Sequence, residues 1–231
     1  MEEGSTTKKS RRGLIIGLVA LLLIAAGAAA YFLTKDDNQA NNTASSNNTS
    51  QTPSQTTSTF EPQATANEPF VATVNTTVNG KDVKGIMTSD GQGNASYAYT
   101  TDGNKITLTY TKDAYYICND NAGCFKYNVS GENNSGFDPS DYQYDSSKLA
   151  DLKNNANYKG QQPCPAPATG TCDVWSVSMG SVTSTMYVNT ATKRIAKVTS
   201  ANGTTTSDIT YEYKKATVAI PQNATTLPSG Q

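Results

Sequence analysis

From Phe70 onward, apolar and polar residues alternate with a period of two, which is the pattern of half-buried β-strands. Turn pairs ending in glycine separate these runs at Asn79-Gly80, Asp90-Gly91, Asp102-Gly103 and Asn202-Gly203. Together the two signals predict eleven strands, near residues 70–78, 82–89, 94–100, 105–111, 114–118, 124–129, 173–180, 182–189, 194–200, 204–214 and 216–220.

Residues 145–155, with the sequence DSSKLADLKNN, are the one segment with a helical pattern. Asp145 or Ser146 is a suitable N-cap, because a short oxygen-bearing side chain accepts from the first free backbone N–H groups. Leu149 and Leu152 form the apolar side. We therefore expect one short helix, placed between the sixth and seventh predicted strands.

The apolar residues of most strands fall on one face, as in an antiparallel meander with one buried side. About eleven strands at roughly 4.8 Å spacing make a sheet some 50 Å wide, whereas a helix of about ten residues is roughly 15 Å long. Since that helix cannot cover the sheet, the fold expected is mainly β. It is a curved antiparallel sheet, a half-barrel of about 10–11 strands, with one helix near its mouth.

Such a half-barrel encloses an apolar cavity, and the alternation indicates which side chains point toward it. The predicted ligand-binding residues are Met87, Tyr97, Tyr99, Ile106, Leu108, Tyr110, Trp175, Val177, Met179 and Tyr211. The alternative is a closed barrel or sandwich filled by its own Tyr and Met side chains.

Residues 13–33 are 21 consecutive residues without a charged side chain. As a helix they would be roughly 31 Å long, which matches the hydrocarbon thickness of a bilayer. Lys and Arg residues concentrate in the preceding segment 1–12, which predicts a cytoplasmic basic tail, a single transmembrane anchor and export of everything beyond it. A cleaved signal peptide is the alternative, since small-x-small triplets occur at 26–28 and 28–30. The expected location is thus the cell membrane with an extracellular C-terminal domain, or secretion after cleavage.

Residues 34–69 are rich in Ser, Thr, Asn and Gln, a composition that predicts a disordered tether. The exported domain is then residues 70–231. It contains 13 Lys and Arg against 13 Asp and Glu, so it carries no net charge. Nucleic acid is therefore not an expected partner, because proteins that bind it usually show a basic excess.

All four cysteines lie in the exported part, as the close pairs Cys118/Cys124 and Cys164/Cys172. Zinc sites use Cys-x2–4-Cys pairs, whereas five and seven residues separate these. An even number of cysteines in an oxidising compartment favours two local disulfides.

Histidine is absent, which removes the commonest general base and the commonest metal ligand. No Gly-x-Ser-x-Gly motif is present either, so a nucleophilic triad is disfavoured. Asp138, Asp141 and Asp145 carry oxygen ligands for Ca²⁺, but their spacing differs from an EF-hand and suits helix caps. We expect no catalysis, no cofactor and no metal.

The C-terminal segments contain Thr185-Met-Tyr-Val-Asn-Thr-Ala-Thr-Lys-Arg-Ile-Ala-Lys-Val, then Ile209-Thr-Tyr, then Val218-Ala-Ile-Pro. This motif covers about 40 residues and resembles the closing strands of the LolA/LppX-like half-barrels, which are lipoprotein carriers and lipid-binding cell-envelope proteins. The helix that interrupts the strands is similar as well. Two features depart from the family. A polar tether stands where an amphipathic helix usually begins, and two disulfides are added.

The resemblance implies that the exported domain binds a lipid or a lipoprotein acyl chain, with the membrane as a further partner through residues 13–33. The alternative hypothesis is a cell-surface interaction or structural β domain with a self-filled core and no ligand.

Overall fold

The computed structural model describes residues 58–78, 80–101, 103–128, 137–180 and 182–227. Within these residues no helix combines the length and the hydrophobicity needed to cross a bilayer. The predicted cytoplasmic tail, the predicted anchor at 13–33 and most of the predicted tether lie outside the described residues.

The described residues form twelve strands, one α-helix and one short 3-10 helix. The strands are β1 Phe70–Val78, β2 Lys81–Ser89, β3 Ala95–Thr101, β4 Asn104–Tyr110, β5 Ala114–Asn119, β6 Gly123–Asn128, β7 Ala156–Pro163, β8 Thr171–Met179, β9 Val182–Asn189, β10 Ile195–Asn202, β11 Thr205–Glu212 and β12 Thr225–Thr226. The 3-10 helix is Pro139–Tyr142, and α1 is Ser146–Lys153.

All twelve strands belong to one sheet, in the order β12-β6-β5-β4-β3-β2-β1-β11-β10-β9-β8-β7. The sheet does not close, since β12 and β7 are its two ends. The prediction of a mainly β fold with one antiparallel sheet and one α-helix is confirmed, except that β12 pairs with β6 in parallel. β1 and β11 meet at the centre, so the first and last long strands of the domain hold its two halves together.

Three strand assignments need correction, since β12, like β7, was not predicted. β7 was not predicted, because an edge strand buries little and its sequence ANYKGQQP shows no apolar alternation. The predicted strand 216–220 does not form. Both edges of β11 are already paired with β1 and β10, so the chain beyond Glu212 leaves the sheet and rejoins it only at β12.

One face of the sheet, here called the inner face, carries the core. Register places Val74 of β1 opposite Ile209 of β11, and Ile209 opposite Val198 of β10. On the other side, Tyr97 of β3 lies between Met87 of β2 and Leu108 of β4. These side chains are all buried or packed against one continuous core cluster, as the period-two pattern predicted.

A helical segment, Pro139–Lys153, covers part of the inner face. Asp138 caps the 3-10 helix by accepting from the backbone N–H of Ser140 at 2.8 Å. Asp145, one of the two predicted N-cap residues, caps α1 by accepting from the backbone N–H of Lys148 at 2.7 Å. Leu149 and Leu152 of α1 are buried against the sheet, as predicted.

Residues 58–69, here called the strap, also pack on the core. The predicted boundary placed them in the tether, but Phe60 is buried and its ring contacts that of Trp175 edge-on at 5.3 Å. The backbone N–H of Gln63 donates to the carbonyl of Lys193, and that of Thr65 donates to the carbonyl of Tyr144, both at 2.7 Å. The packed domain therefore begins before Phe70, because the Phe60 side chain of this polar segment packs on a part of the core that is otherwise uncovered.

Both predicted disulfides are present. Cys118–Cys124 joins β5 to β6 across their hairpin, where the two residues are register partners. Cys164–Cys172 closes the loop that connects β7 to β8. Each bond links neighbouring strands, so each stabilises one hairpin and neither bridges distant parts of the sheet.

If the strap belongs to the folded core, Phe60→Ala should lower the free energy of unfolding by about 3 kcal/mol, since it removes a buried aromatic ring. Trp175 is the single tryptophan of the chain and touches Phe60, so its fluorescence reports unfolding in the full-length protein in detergent. Thr59→Ala is the control, because Thr59 is exposed and should change stability by less than about 0.5 kcal/mol. Equal stability of the two variants would show that the strap is not part of the domain.

Candidate functional site

The helical segment does not fill all the space above the inner face. A cavity of about 90 Å³ remains between this segment and strands β1 and β8–β11. Its sheet side includes the apolar residues Val177, Met179, Met186, Val198 and Ile209. Its helical side consists of Tyr142, Tyr144 and Leu152 together with Asp141 and Lys148. The cavity is thus an apolar space with a small number of polar groups in its wall.

Four hydroxyl side chains form a row across the sheet wall of this cavity, here called the hydroxyl belt: Thr76, Ser184, Ser200 and Ser207. Register makes Ser184 the partner of Ser200, Ser200 the partner of Ser207, and Ser207 the partner of Thr76. The belt therefore crosses four adjacent strands, β9, β10, β11 and β1. The Ser184 and Ser200 hydroxyl oxygens are 2.8 Å apart and hydrogen-bonded.

The two charged residues in the wall belong to the helical segment. Burial raises the pKa of Asp141 to about 6, and the nearby Asp138 adds to the increase while Lys148 opposes it. Burial also lowers the pKa of Lys148, against the effect of Asp141, Asp145 and Asp138. The Lys148 Nζ donates to the carbonyl oxygen of Asp141 at 3.0 Å and lies 5.0 Å from the centre of the Tyr144 ring.

The ten predicted ligand-binding residues fall into three groups. Val177 and Met179 line the cavity. Tyr211 is buried in the core and lines a second cavity, described below. The other seven are in the core cluster or packed against it and do not line the first cavity: Met87, Tyr97, Tyr99, Ile106, Leu108, Tyr110 and Trp175.

The aromatic residues themselves close off the β2–β5 side of the inner face. The Tyr97 ring stacks on Tyr99 at 5.3 Å, on Phe137 at 6.0 Å and on Tyr142 at 6.4 Å. A β-carbon on Gly85 would overlap the Tyr97 ring, so this glycine gives the ring its place against the sheet. These rings therefore occupy the β2–β5 side of the inner face, whereas the cavity lies on the β8–β11 side.

A second cavity, of about 230 Å³, lies beside the loop closed by Cys164–Cys172. Arg194 in its wall pairs with Glu68 of the strap at 2.6 Å and lies over the Tyr213 ring at 5.2 Å. Its guanidinium is thus already paired with a carboxylate, and we assign this cavity no ligand.

The period-two alternation of the sequence contains a signal for the hydroxyl belt, which was not among the predicted ligand-binding residues. Ser184, Ser200 and Thr76 lie two residues from Met186, Val198 and Val74, in the same inward phase of their strands. A hydroxyl in the apolar phase of several neighbouring strands indicates a polar row on the inner face. Asp141 and Lys148 carried no such signal, because only the packing of the helical segment brings them to the cavity.

The fold is an open, mainly antiparallel sheet with a helical segment and an N-terminal strap on one face. No protein-family model matches the sequence, and no curated protein matches it.

Several solved structures are similar to it at low identity. LprF from Mycobacterium bovis is 15% identical with a TM-score of 0.42, over 69% of this chain and 91% of that one. The Mycobacterium tuberculosis lipoprotein LppX is 9% identical with a TM-score of 0.40, over 66% and 89%. The Pseudomonas aeruginosa MucA/MucB complex is 14% identical with a TM-score of 0.41, over 68% of this chain and 56% of that chain, so this chain spans just over half of the latter. LppX, a member of the family that the C-terminal strands resemble, is thus among the solved structures to which this chain is similar.

The raised pKa of Asp141 predicts a pH-dependent stability. The native pKa of about 6 lies above the ordinary value of 3.8, so the native state holds this proton more tightly than the unfolded chain. Stability from this group is present at low pH and is lost as the pH rises through about 4 to 6. Asp141→Asn should therefore melt above the wild type at pH 7, and the difference should shrink below about pH 6, as followed by Trp175 fluorescence.

Asp151→Asn is the matched control, since Asp151 is an exposed residue of α1. It should leave the melting temperature nearly unchanged at every pH. An Asp141→Asn difference of the same size at pH 5 and pH 7 would contradict the assigned cause.

Proposed function

We propose that this chain is an exported binding protein that holds an acyl chain of a lipid or lipoprotein in the cavity under the helical segment. The observation that carries the proposal is this cavity, which has an apolar wall of Val177, Met186, Val198 and Ile209 and lies at the only α-helix of the described residues. An acyl chain suits this apolar space, because each methylene that it buries there stabilises the complex by about 0.8 kcal/mol.

The volume of the cavity indicates how binding would occur. Sites for drug-sized ligands measure about 300–1,000 Å³, so a space of about 90 Å³ accepts only part of a long chain. A full chain would need the helical segment to move outward. Apart from its buried side chains, the helical segment makes few contacts with the rest of the described domain. Two of them are hydrogen bonds: the backbone N–H of Thr65 donates to the Tyr144 carbonyl, and the Gln143 side chain donates to the Ser89 hydroxyl at 3.3 Å.

The half-barrel expected from the sequence is part of the same proposal. The open sheet would form its concave wall, and the helical segment would cover that wall. We also propose that residues 13–33 anchor the chain in the cell membrane, with segment 1–12 in the cytoplasm and the β domain outside. The polar segment that precedes the strap would then allow the cavity to reach lipid or a lipoprotein. Binding without catalysis is proposed, and the absence of histidine from the sequence supports it.

A second candidate is an extracellular interaction domain without a ligand. The stack of Tyr97, Tyr99, Phe137 and Tyr142 favours it, since these rings cover part of the inner face with the chain's own side chains. Burial raises the pKa of Tyr97 and Tyr99 to about 12, so both phenols stay neutral and serve as core side chains.

Photocrosslinking separates the two candidates in the full-length protein in its membrane. Palmitoyl probes with a diazirine in the chain, one the free acid and one an ester, should label peptides of β9–β11 and α1. Val198→Phe places a larger ring in the cavity and should reduce this labelling at least about fourfold, the effect of losing one buried methylene.

Ile86→Phe is the control, because Ile86 is exposed on the opposite face of β2. It should label like the wild type, and Trp175 fluorescence should show that both variants are folded. Label absent from the β domain, or unchanged by Val198→Phe, would reject acyl binding and favour the interaction domain.

A further inference from the structure

The strap contacts the helical segment near both ends of α1. At one end the backbone N–H of Thr65 donates to the carbonyl of Tyr144, which directly precedes the N-cap Asp145. At the other end the Glu61 carboxylate lies 3.7 Å from the Nζ of Lys153, the last residue of α1. These two contacts place the strap beside α1 with the opposite chain direction.

The lengths of the two segments agree with this arrangement. The chain advances four residues from Glu61 to Thr65, and an extended chain of that length covers roughly 14 Å at most. The eight residues of α1 rise about 12 Å. Little chain is therefore left over between the two contacts, and the strap cannot leave the sheet without changing its contacts with the helical segment.

The other contacts of the strap are made with the sheet. The Phe60 ring is 4% exposed and meets the ring of Trp175 on β8. The Glu68 carboxylate pairs at 2.6 Å with Arg194, which directly precedes β10. Strands β8 and β10 belong to the sheet wall of the cavity under the helical segment. The strap thus connects the cover of this cavity to its wall.

The contacts of the N-terminal half of the strap differ in strength. The Ser58 hydroxyl donates to Asp173 at 3.4 Å, which is long for a hydrogen bond. The side chains of Glu61 and Lys153 are both more than half exposed, and such ion pairs contribute little. Burial of the Phe60 ring stabilises far more than either contact. Phe60 therefore determines whether this half of the strap stays bound.

We propose that the strap is a latch on the helical segment and that Phe60 holds it closed. When Phe60 leaves Trp175, the strap detaches and the helical segment moves outward, which opens the cavity beneath it. The strap continues directly from residues 34–57, so displacement of that polar segment acts first on Ser58 and Phe60. As regulation of the cavity this inference rests on the proposed binding function, whereas the movement itself is measured without a ligand.

The reactivity of a thiol in the cavity wall measures this opening in the full-length protein in detergent. All four native cysteines are in disulfides, so Val198→Cys supplies a single free thiol. Val198 is 6% exposed and lines the cavity, so the introduced thiol should react slowly with a bulky maleimide. Adding Phe60→Ala should raise the rate at least about tenfold, since half of the free energy lost with a buried ring shifts an opening equilibrium by that factor.

Three further substitutions in the Val198→Cys background separate the latch from a general loss of stability. Thr59→Ala changes an exposed residue of the strap and should leave the rate unchanged. Ile106→Ala removes a buried side chain of β4, five strands from β10, and should leave the rate near that of its parent. Phe60→Leu keeps a large apolar side chain and should give a rate between those of its parent and Phe60→Ala.

Amide hydrogen exchange of the same proteins, followed by peptide mass spectrometry, shows which element moves. Phe60→Ala should speed exchange in α1 more than in β3 and β4, because the latch acts on the helical segment. Circular dichroism identifies the variants that are folded. If Phe60→Ala is not folded, the comparison is made with Phe60→Leu, whose rate should still exceed that of its parent.

An unchanged thiol rate in the folded Phe60 variants would overturn the latch, and so would an equal increase in Ile106→Ala. A faster thiol reaction with unchanged exchange in α1 would overturn the movement of the helical segment. None of these measurements contains a ligand, so acyl binding stands or falls with the photocrosslinking result alone.

Discussion

The structure depends on one constraint, the imbalance between a wide apolar sheet face and the little helix available to cover it. Twelve strands form one open sheet, and α1 has only eight residues. Apolar surface left in water would be costly, at roughly 25 cal/mol per Å². The remaining features of the domain are ways in which this chain covers that face.

The chain covers the inner face in different ways in three regions. Over β2–β5 the sheet covers itself, as the Tyr97 ring stacks on Tyr99, on Phe137 and on Tyr142 of the helical segment. Near Trp175 the strap supplies Phe60 from a stretch of polar chain. Between these two regions the cover is thin, and a cavity remains beneath α1. The cavity therefore lies where the strands carry small side chains on the inner face, namely Val177, Val198 and the serines of the hydroxyl belt.

The same region combines apolar and polar wall in a regular way. Antiparallel register brings one hydroxyl from each of four adjacent strands into a row, and the neighbouring row carries Met186, Val198 and Ile209. Core packing alone would not select a hydroxyl at Thr76, because Val would fill the same position without an unsatisfied oxygen. The proposed binding role would account for this hydroxyl, which lines the cavity beneath the charged helical segment.

The sequence by itself determined the strands with clear alternation, an N-cap at Asp145 or Ser146, both disulfides and the inward phase of Met87, Leu108 and Val177. These are local properties, because a period of two, a capping side chain and closely spaced cysteines each act within about ten residues. Only the tertiary structure decided that Phe60 joins the core, that β7 forms an edge, and that residues 216–220 leave the sheet. It also decided that most of the predicted lining residues pack on one another, and that Asp141 and Lys148 meet the hydroxyl belt. These outcomes depend on which distant surfaces meet and on how much space large side chains leave between them, and no local pattern contains that information.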